Sequence, residues 1–281
     1  MTELSSDEAN RDAGHDDAAF DIGVHVAEVS AIVRTASARS LEWYRQLDRS
    51  ESIDNKSDSG FDPVTEADRA VETELRDQLA SRFPDHAIMG EEFGLTGTGR
   101  YRWTIDPIDG TRAFIAGQPM WGTLLGFQVD DEPVAGWMHV PVLDETYVGH
   151  RRCSLMTPTQ TRTINVSDTT KLADAVVLST HPDMFAPGIE ADRFGAVVQR
   201  AKMVRYSGDC VNYGLLAMGL VDSVIENGLA SYDIIPLIPI VRAAGGLVTN
   251  LDGKTPTDGG YVVASATEAL HAETLELLNA R

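Results

Sequence analysis

Hydrophobic positions recur along this chain first with the period of a helix, then with that of a strand, then in alternating blocks of both. From Phe20 onward, Ile22, Val26, Val29, Val33, Ala36, Trp43 and Leu47 fall three, four or seven residues apart, with Glu28, Arg34 and Arg39 between them. That spacing predicts a helix over about 20–47. A polar loop, DRSESIDNKSDSGFDP, leads to Pro63. A second helix is predicted after it, with Thr65 as N-cap, Val71, Leu75 and Leu79 on its apolar face, and Pro84 as the stop. Ala87–Met89 and Tyr101–Ile105 read as short strands. From Gly122 the period falls to two: Leu125, Phe127 and Val129 alternate, Asp130–Pro133 signals a turn, and Val134–Val140 and Tyr147–Val148 follow as an antiparallel meander.

The stretch 151–170 is rich in Arg, Thr and Ser and reads as a seam between two halves. Beyond it, strands at 175–179, 203–206, 222–226, 247–249 and 261–265 interleave with helices at 189–201, 210–220, 234–244 and 267–279, an α/β layer pattern. Pro239 conflicts with the interior of the 234–244 helix, whereas Pro236 fits its first turn. The expected organisation is an acidic tail (1–19), an N-terminal α+β half (20–155) and a C-terminal α/β half (156–281).

Composition adds one question. Lys plus Arg number 23 and Asp plus Glu 43, a formal net charge of −20. This excludes a general nucleic-acid or anionic-membrane binder, since phosphates repel such a surface. Residues 1–19 hold six acids and one base, so most of the excess belongs to the folded part. There it is either a solvated surface or a gathering of carboxylates around a hard cation. Two cysteines, Cys153 and Cys210, make no disulfide framework, and the N-terminus is acidic and polar, so a reducing compartment, the cytoplasm, is expected. No apolar run approaches the ~20 residues of a membrane span.

Several chemistries lack their motifs. The chain has no GxxxxGK[ST], no GxSxG and no HExxH. Asp106 and Asp109 are three apart, one too many for a DxDx[TV] phosphoaspartyl loop. What stands out is acids in four places: Asp68 in DPVTEAD, Glu91 in GEEFG, Asp106 and Asp109 in WTIDPIDGT, and Asp233 in SYDIIP. In the hexapeptide Asp106–Thr111, Pro107 would stiffen a turn that aims both aspartates and the Ile108 carbonyl at one point. Oxygen-only ligands of this kind suit Mg²⁺, which keeps waters and accepts phosphate oxygens. Gly110 would let the backbone approach a phosphate, and the Thr111 hydroxyl could orient a water.

From about residue 20 onward, these motifs and their order resemble the inositol monophosphatase family of Mg²⁺-dependent phosphomonoesterases. The resemblance implies a layered αβαβα sandwich, two to three Mg²⁺ ions per site and a homodimer. It matches Glu91, Asp106, the Ile108 carbonyl, Asp109 and Asp233 to the metal ligands, and Asp68 to the acid that helps hold a third ion. Thr111, with Glu91, matches the pair that activates the attacking water, and Lys56 matches a lysine near the third metal.

Within the family, DGTRAFIAG, PMWGT, STHPDMF and Gly208-Asp-Cys210 look most like the histidinol-phosphate phosphatase branch. His181 departs from the small residue expected at its position. Histidinol phosphate carries a cationic amine and an imidazole, so Asp209 and Glu226, which matches a substrate-contacting acid, are candidate specificity residues. Arg112 is a candidate phosphate contact. The competing readings for Asp209, Glu226 and Arg112 are a helix cap, a solvent-facing strand end and a surface ion pair. An inositol monophosphatase is the second enzymatic reading, and a non-catalytic acidic binding protein on the same fold is a third.

Overall fold

The computed structural model describes residues 20–46, 53–55 and 63–280. The stretch 1–19, Lys56 and Asp62 lie outside the described residues. Helix α1 (Ile22–Ser37) is capped by Asp21, whose carboxylate accepts the Gly23 N–H at 2.9 Å. It ends ten residues before its predicted end. Past Ser37 the chain tightens into a 3₁₀ turn (Ala38–Glu42), where the Ser40 hydroxyl donates to the Ser37 carbonyl and competes with the helical ladder. The predicted polar loop contains a small hairpin of β1 (Ile53–Asn55) and β2 (Pro63–Thr65), which runs directly into α2 (Glu66–Arg82).

The first large sheet comprises β3 (Ala87–Gly90), β4 (Gly94–Thr96), β5 (Tyr101–Asp109), β6 (Gly122–Val129), β7 (Glu132–Val140), β8 (Glu145–Gly149), β9 (Cys153–Met156) and β10 (Thr161–Thr163), with the short α3 (Thr111–Ile115) between β5 and β6. Its order is β10-β9-β8-β7-β6-β5-β3-β4, antiparallel except for β3 against β5. The meander is as expected, and Asp130 and Asp131, both at positive φ, make the tight β6–β7 turn. It also runs further than its apolar alternation indicates. β9 and β10 fall in the Arg/Thr/Ser stretch, where β10 is an exposed edge strand with no apolar face to display.

The chain crosses to the second sheet between Thr163 and Val176. That sheet contains β11 (Val176–Ser179), β12 (Met203–Tyr206), β13 (Ser223–Leu229), β14 (Leu247–Thr249) and β15 (Gly260–Ser265), in the order β12-β11-β13-β15-β14. β12, β11 and β13 are parallel, and β15 is antiparallel to both its neighbours. The helices are α4 (Ile189–Arg200), α5 (Val211–Ala217), α6 (Ser231–Ile234), α7 (Leu237–Ala243) and α8 (Glu268–Leu278).

Among the described residues, strand alternation sorts the sheet side chains into three large cores, beside a smaller cluster of Ala67, Ile108, Phe114 and Trp121. Leu125 and Trp137 face α1 and α2, whereas Leu124 and Met138 face α5 and α7 between the sheets. Leu178 and Ala264 join that central core from the second sheet, while Val177 and Val263 face α4 and α8 outside it. The result is five alternating layers: helix, sheet, helix, sheet, helix. Among the described residues no helix is long and apolar enough to cross a membrane.

The predicted 234–244 helix is α7, shortened at its start, and the separate turn of helix α6 precedes it. The break at Ile235–Pro236 makes Pro236 the N-cap of α7 and puts Pro239 in its first turn, where a missing N–H costs no intrahelical bond. This helix pair lies directly on the first sheet. Gly126, Gly136 and Gly149 are paired across β6, β7 and β8 in one row. A Cβ at Gly136 would sit 1.9 Å from the Pro236 carbonyl oxygen, and one at Gly149 2.3 Å from the Ile240 nitrogen. The glycine row thus admits the backbone that carries Asp233.

Candidate active site

In an unbroken strand, residues three apart point to opposite faces. Asp106 and Asp109 nevertheless meet, because β5 bulges. Asp106 pairs with Leu124 and Asp109 with Gly122, so three steps on β5 oppose two on β6, and the extra residue turns Asp109 back to the face of Asp106. Pro107 lies in this bulge, past the last β3–β5 pair at Gly90 and Ile105, so the ladder has no use for its missing N–H. Its carbonyl accepts the Thr123 hydroxyl at 2.7 Å. The expected turn at 106–111 is therefore a bulged strand end that passes through Gly110, at φ 86°, into α3. Thr111 Oγ1 donates to the Ile108 carbonyl at 3.0 Å.

Asp233 joins the pair from α6. Its carboxylate accepts the Ala230 N–H at 2.7 Å, and one oxygen from each of Asp106, Asp109 and Asp233 lies within 4.8 Å of the others. Glu91 follows β3 and donates its N–H to the Ile105 carbonyl at 3.2 Å. Asp68 is buried in the first turn of α2. Burial pushes the Asp106 carboxyl well above the usual carboxylate range, and the charges of Glu91, Asp109, Asp233 and Asp68 push it further. Asp109 is raised by burial and then by Asp209 and Asp233, against a hydrogen bond from the Cys210 side chain; the Cys210 backbone N–H also donates to its Oδ2 at 2.6 Å.

These residues fit a hard cation. Asp106 Oδ1 is buried and accepts no hydrogen bond among the described residues, a costly state for a carboxylate in a protein interior. The donors are all oxygens, which suits Mg²⁺ or Ca²⁺ and not a soft ion.

The cluster floors a cleft of about 500 Å³ between the two sheets. Gly110, Thr111, Arg112, Thr180, His181 and Asp209 line it, with Asp209 close against Gly110, where a Cβ would lie 3.1 Å from its side chain. Asp209 is not a side-chain cap of α5: Cys210 holds that position, with no side-chain bond there. Burial raises the Asp209 carboxyl to about 6, although the Arg112 charge pulls it down. Glu226 is no strand-end acid, because β13 continues to Leu229. It lines a deeper recess of about 50 Å³ shared with Asp109, Asp209 and Asp233. There it accepts the Thr180 hydroxyl at 2.6 Å, the Thr180 N–H at 3.2 Å and the Tyr213 hydroxyl at 2.9 Å. Burial lifts its carboxyl to about 7, and those donors restrain the rise.

Thr180 and Tyr213 escaped the sequence reading, since nothing local marks a threonine or tyrosine that meets an acid on a distant strand. Thr180 Oγ1 also accepts the Asp209 N–H at 3.1 Å, so one side chain joins both candidate specificity acids. His181 stands on the rim of the cleft with 61% of its side chain exposed, where Nδ1 accepts the Asp183 N–H at 3.1 Å. Trp121 is buried behind α3, edge-on to Phe114 at 4.8 Å. The Cys210 thiol is buried, and burial raises its pKa well above the usual range.

Residues 25–281 match the model of the inositol monophosphatase family. The chain is 36% identical over 234 residues to a histidinol-phosphatase of Mycobacterium tuberculosis, covering 81% of this chain and 88% of that protein. It is 35% identical over 231 residues to the chloroplastic bifunctional phosphatase IMPL2 of Arabidopsis thaliana, covering 77% of this chain but 65% of that protein's length. A solved structure of an inositol monophosphatase from Zymomonas mobilis superposes with a TM-score of 0.80 at 30% identity, covering 92% of this chain and 99% of that one. With the bulged aspartate pair, the five layers and these matches together, the chain belongs to the inositol monophosphatase family.

Proposed function

We propose that this family member is a Mg²⁺-dependent phosphoric monoester hydrolase whose substrate is histidinol phosphate. The observation that carries the reading is the convergence of Asp106, Asp109 and Asp233, with an Asp106 oxygen that no group among the described residues satisfies. These three, with Glu91, the Ile108 carbonyl and Asp68, would hold two or three Mg²⁺ ions. Bound there, Mg²⁺ supplies water activation and neutralises charge on the phosphoryl and leaving oxygens. The protein's own part is orientation. Thr111 spends its one hydroxyl hydrogen on the Ile108 carbonyl, so toward the cleft Oγ1 can only accept, which aims the protons of a water at Thr111 and Glu91. Those two groups direct the water's lone pair at phosphorus, and Glu91 takes its proton. The motifs place no activated Ser, Cys or His nucleophile, so the displacement is direct and in line, without a phosphoenzyme.

Substrate choice follows from the acids on the second-sheet side. A recess of about 50 Å³ has room for an ammonium group or a water or two. Its walls include Asp209 and Glu226, a setting that favours a cationic amine over the neutral hydroxyls of an inositol. The relative from Mycobacterium tuberculosis supports this choice, and the likeness to the Zymomonas mobilis structure favours inositol 1-phosphate as the second reading. The functional unit would be a homodimer in the cytoplasm, both cysteines being free and buried. The test is phosphate release with and without Mg²⁺, with kcat/KM compared for histidinol phosphate, inositol 1-phosphate and fructose bisphosphate. A clear preference for histidinol phosphate is expected. Release undiminished by EDTA would end the metal reading, and a preference for inositol 1-phosphate would transfer the assignment to the second.

A further inference from the structure

Asp68, Glu72 and Arg76 are four residues apart on α2 and so form one stripe along the helix. Asp68 faces the acidic cluster, where its charge acts on Asp106. Glu72 and Arg76 face the turn between β3 and β4, the turn that carries Glu91. Glu72 is fully buried. One of its carboxylate oxygens accepts the Glu92 N–H at 2.7 Å, and the other accepts the Phe93 N–H at 3.3 Å and Arg76 Nε at 2.7 Å. Arg76 reaches on to the Gly94 carbonyl and, at 3.0 Å, to the Thr96 hydroxyl. A Cβ at Gly90 would lie 1.9 Å from Glu72 Oε1, so the carboxylate rests on the backbone immediately before Glu91. Glu91 is thus bracketed on both sides by contacts to a single ion pair. The acid satisfies two backbone N–H groups of the turn as well as Arg76, so it fixes the turn's conformation and not only its packing.

We propose that Glu72, held by Arg76, is a positioning residue that sets the Glu91 carboxylate in place before any cation binds. Cation affinity depends on it; once Mg²⁺ is bound, the cation itself would hold the Glu91 carboxylate in place, so the rate at saturating Mg²⁺ does not. The proposal rests on reading Glu91 as a metal ligand.

Glu72→Gln tests it. An amide has one acceptor oxygen where the carboxylate has two, so in either orientation an NH₂ group confronts a turn N–H or Arg76. In the metal-free variant, amide exchange at Glu92 and Phe93 should quicken about 10-fold or more, while residues 101–111 exchange as in the wild type. The Mg²⁺ concentration for half-maximal rate should rise about 10-fold or more, and calorimetric Mg²⁺ binding should weaken in parallel. The rate at saturating Mg²⁺ should stay within about threefold of wild type. An unchanged Mg²⁺ requirement overturns the proposal, whether or not exchange quickens, and so does a large fall in the saturating rate. If Glu72→Gln fails to fold, Arg76→Met leaves Glu72 in place and cuts the ties to Gly94 and Thr96; the same readings support or overturn the proposal. A wild-type protein that releases no phosphate at any Mg²⁺ concentration would sink the functional reading instead. Exchange and calorimetry would then still decide whether Glu72 sets the Glu91 site.

Discussion

Asp106 sits where burial and four neighbouring carboxylates all oppose its negative charge, so what it tolerates is a proton or a cation. Asp106→Asn removes that charge but leaves the shape. Turnover at a fixed Mg²⁺ concentration should fall on the order of 100-fold or more, because a neutral amide cannot offset repulsion between dications; near-normal rates would remove Asp106 from the site. Asp209 gives a sharper contrast. It is not the side-chain cap of α5 and it walls the cleft beside Arg112. Asp209→Asn should therefore raise KM for histidinol phosphate by about 10-fold, the size of one lost charge-assisted bond. Glycerol phosphate, with no cation to place, should be hydrolysed as before. Equal losses on both esters would show that Asp209 does not select the substrate.

At the scale of elements, the site depends on two departures from regularity: the β5 bulge and the row of glycines under the α6–α7 pair. A methyl group at Gly136 would meet the Pro236 carbonyl at 1.9 Å, and backbone cannot swing aside as a side chain can. Gly136→Ala should cost about 2 kcal/mol or more, lowering Tm by roughly 4 °C or more. It should also weaken Mg²⁺ activation, because Asp233 rides on the displaced helix. Gly195→Ala is the control. It lies in α4 with nothing within 4 Å of its would-be Cβ, so it should be neutral or stabilise by up to about 1 kcal/mol. Thermal melts and Mg²⁺ titrations of the two variants separate a packing effect from a general intolerance of alanine.

Across the whole molecule, the acids around the cleft couple stability to pH and metal. Asp209 and Glu226 are raised to about 6 and about 7 by burial, above values of about 4 in the unfolded chain. Between those values the folded, metal-free protein holds protons that the unfolded chain has released. Its stability is therefore highest below about pH 4 with respect to these groups, and is lost as pH rises through about 6 and 7. A cation at the cluster replaces the protons, so the Tm gain on adding Mg²⁺ should grow from pH 5 to pH 8. Calorimetric scans with EDTA and with Mg²⁺ at each pH would check this. A gain that is flat or shrinks with pH would contradict it.

Much of the architecture is legible in the sequence because helix and strand periods are local properties. The second helix, the meander and the alternating second half appear near their expected places, and the first helix begins where expected but stops ten residues early. The candidate metal ligands are legible because their motifs are short, and the structure brings Asp106, Asp109 and Asp233 within reach of one another. Only the tertiary structure decides the rest. The β5 bulge is defined by pairing with β6, and the break at Ile235–Pro236 ahead of α7 is fixed by close packing on Gly136 and Gly149. The placing of Glu226 in a recess depends on Thr180 and Tyr213, 46 and 13 residues away. Glu72 looks like a solvated helix acid until β3 and β4 lie over it. In each case the energy comes from groups far apart in the chain, where burial and shared hydrogen bonds, not local propensity, determine what a residue does.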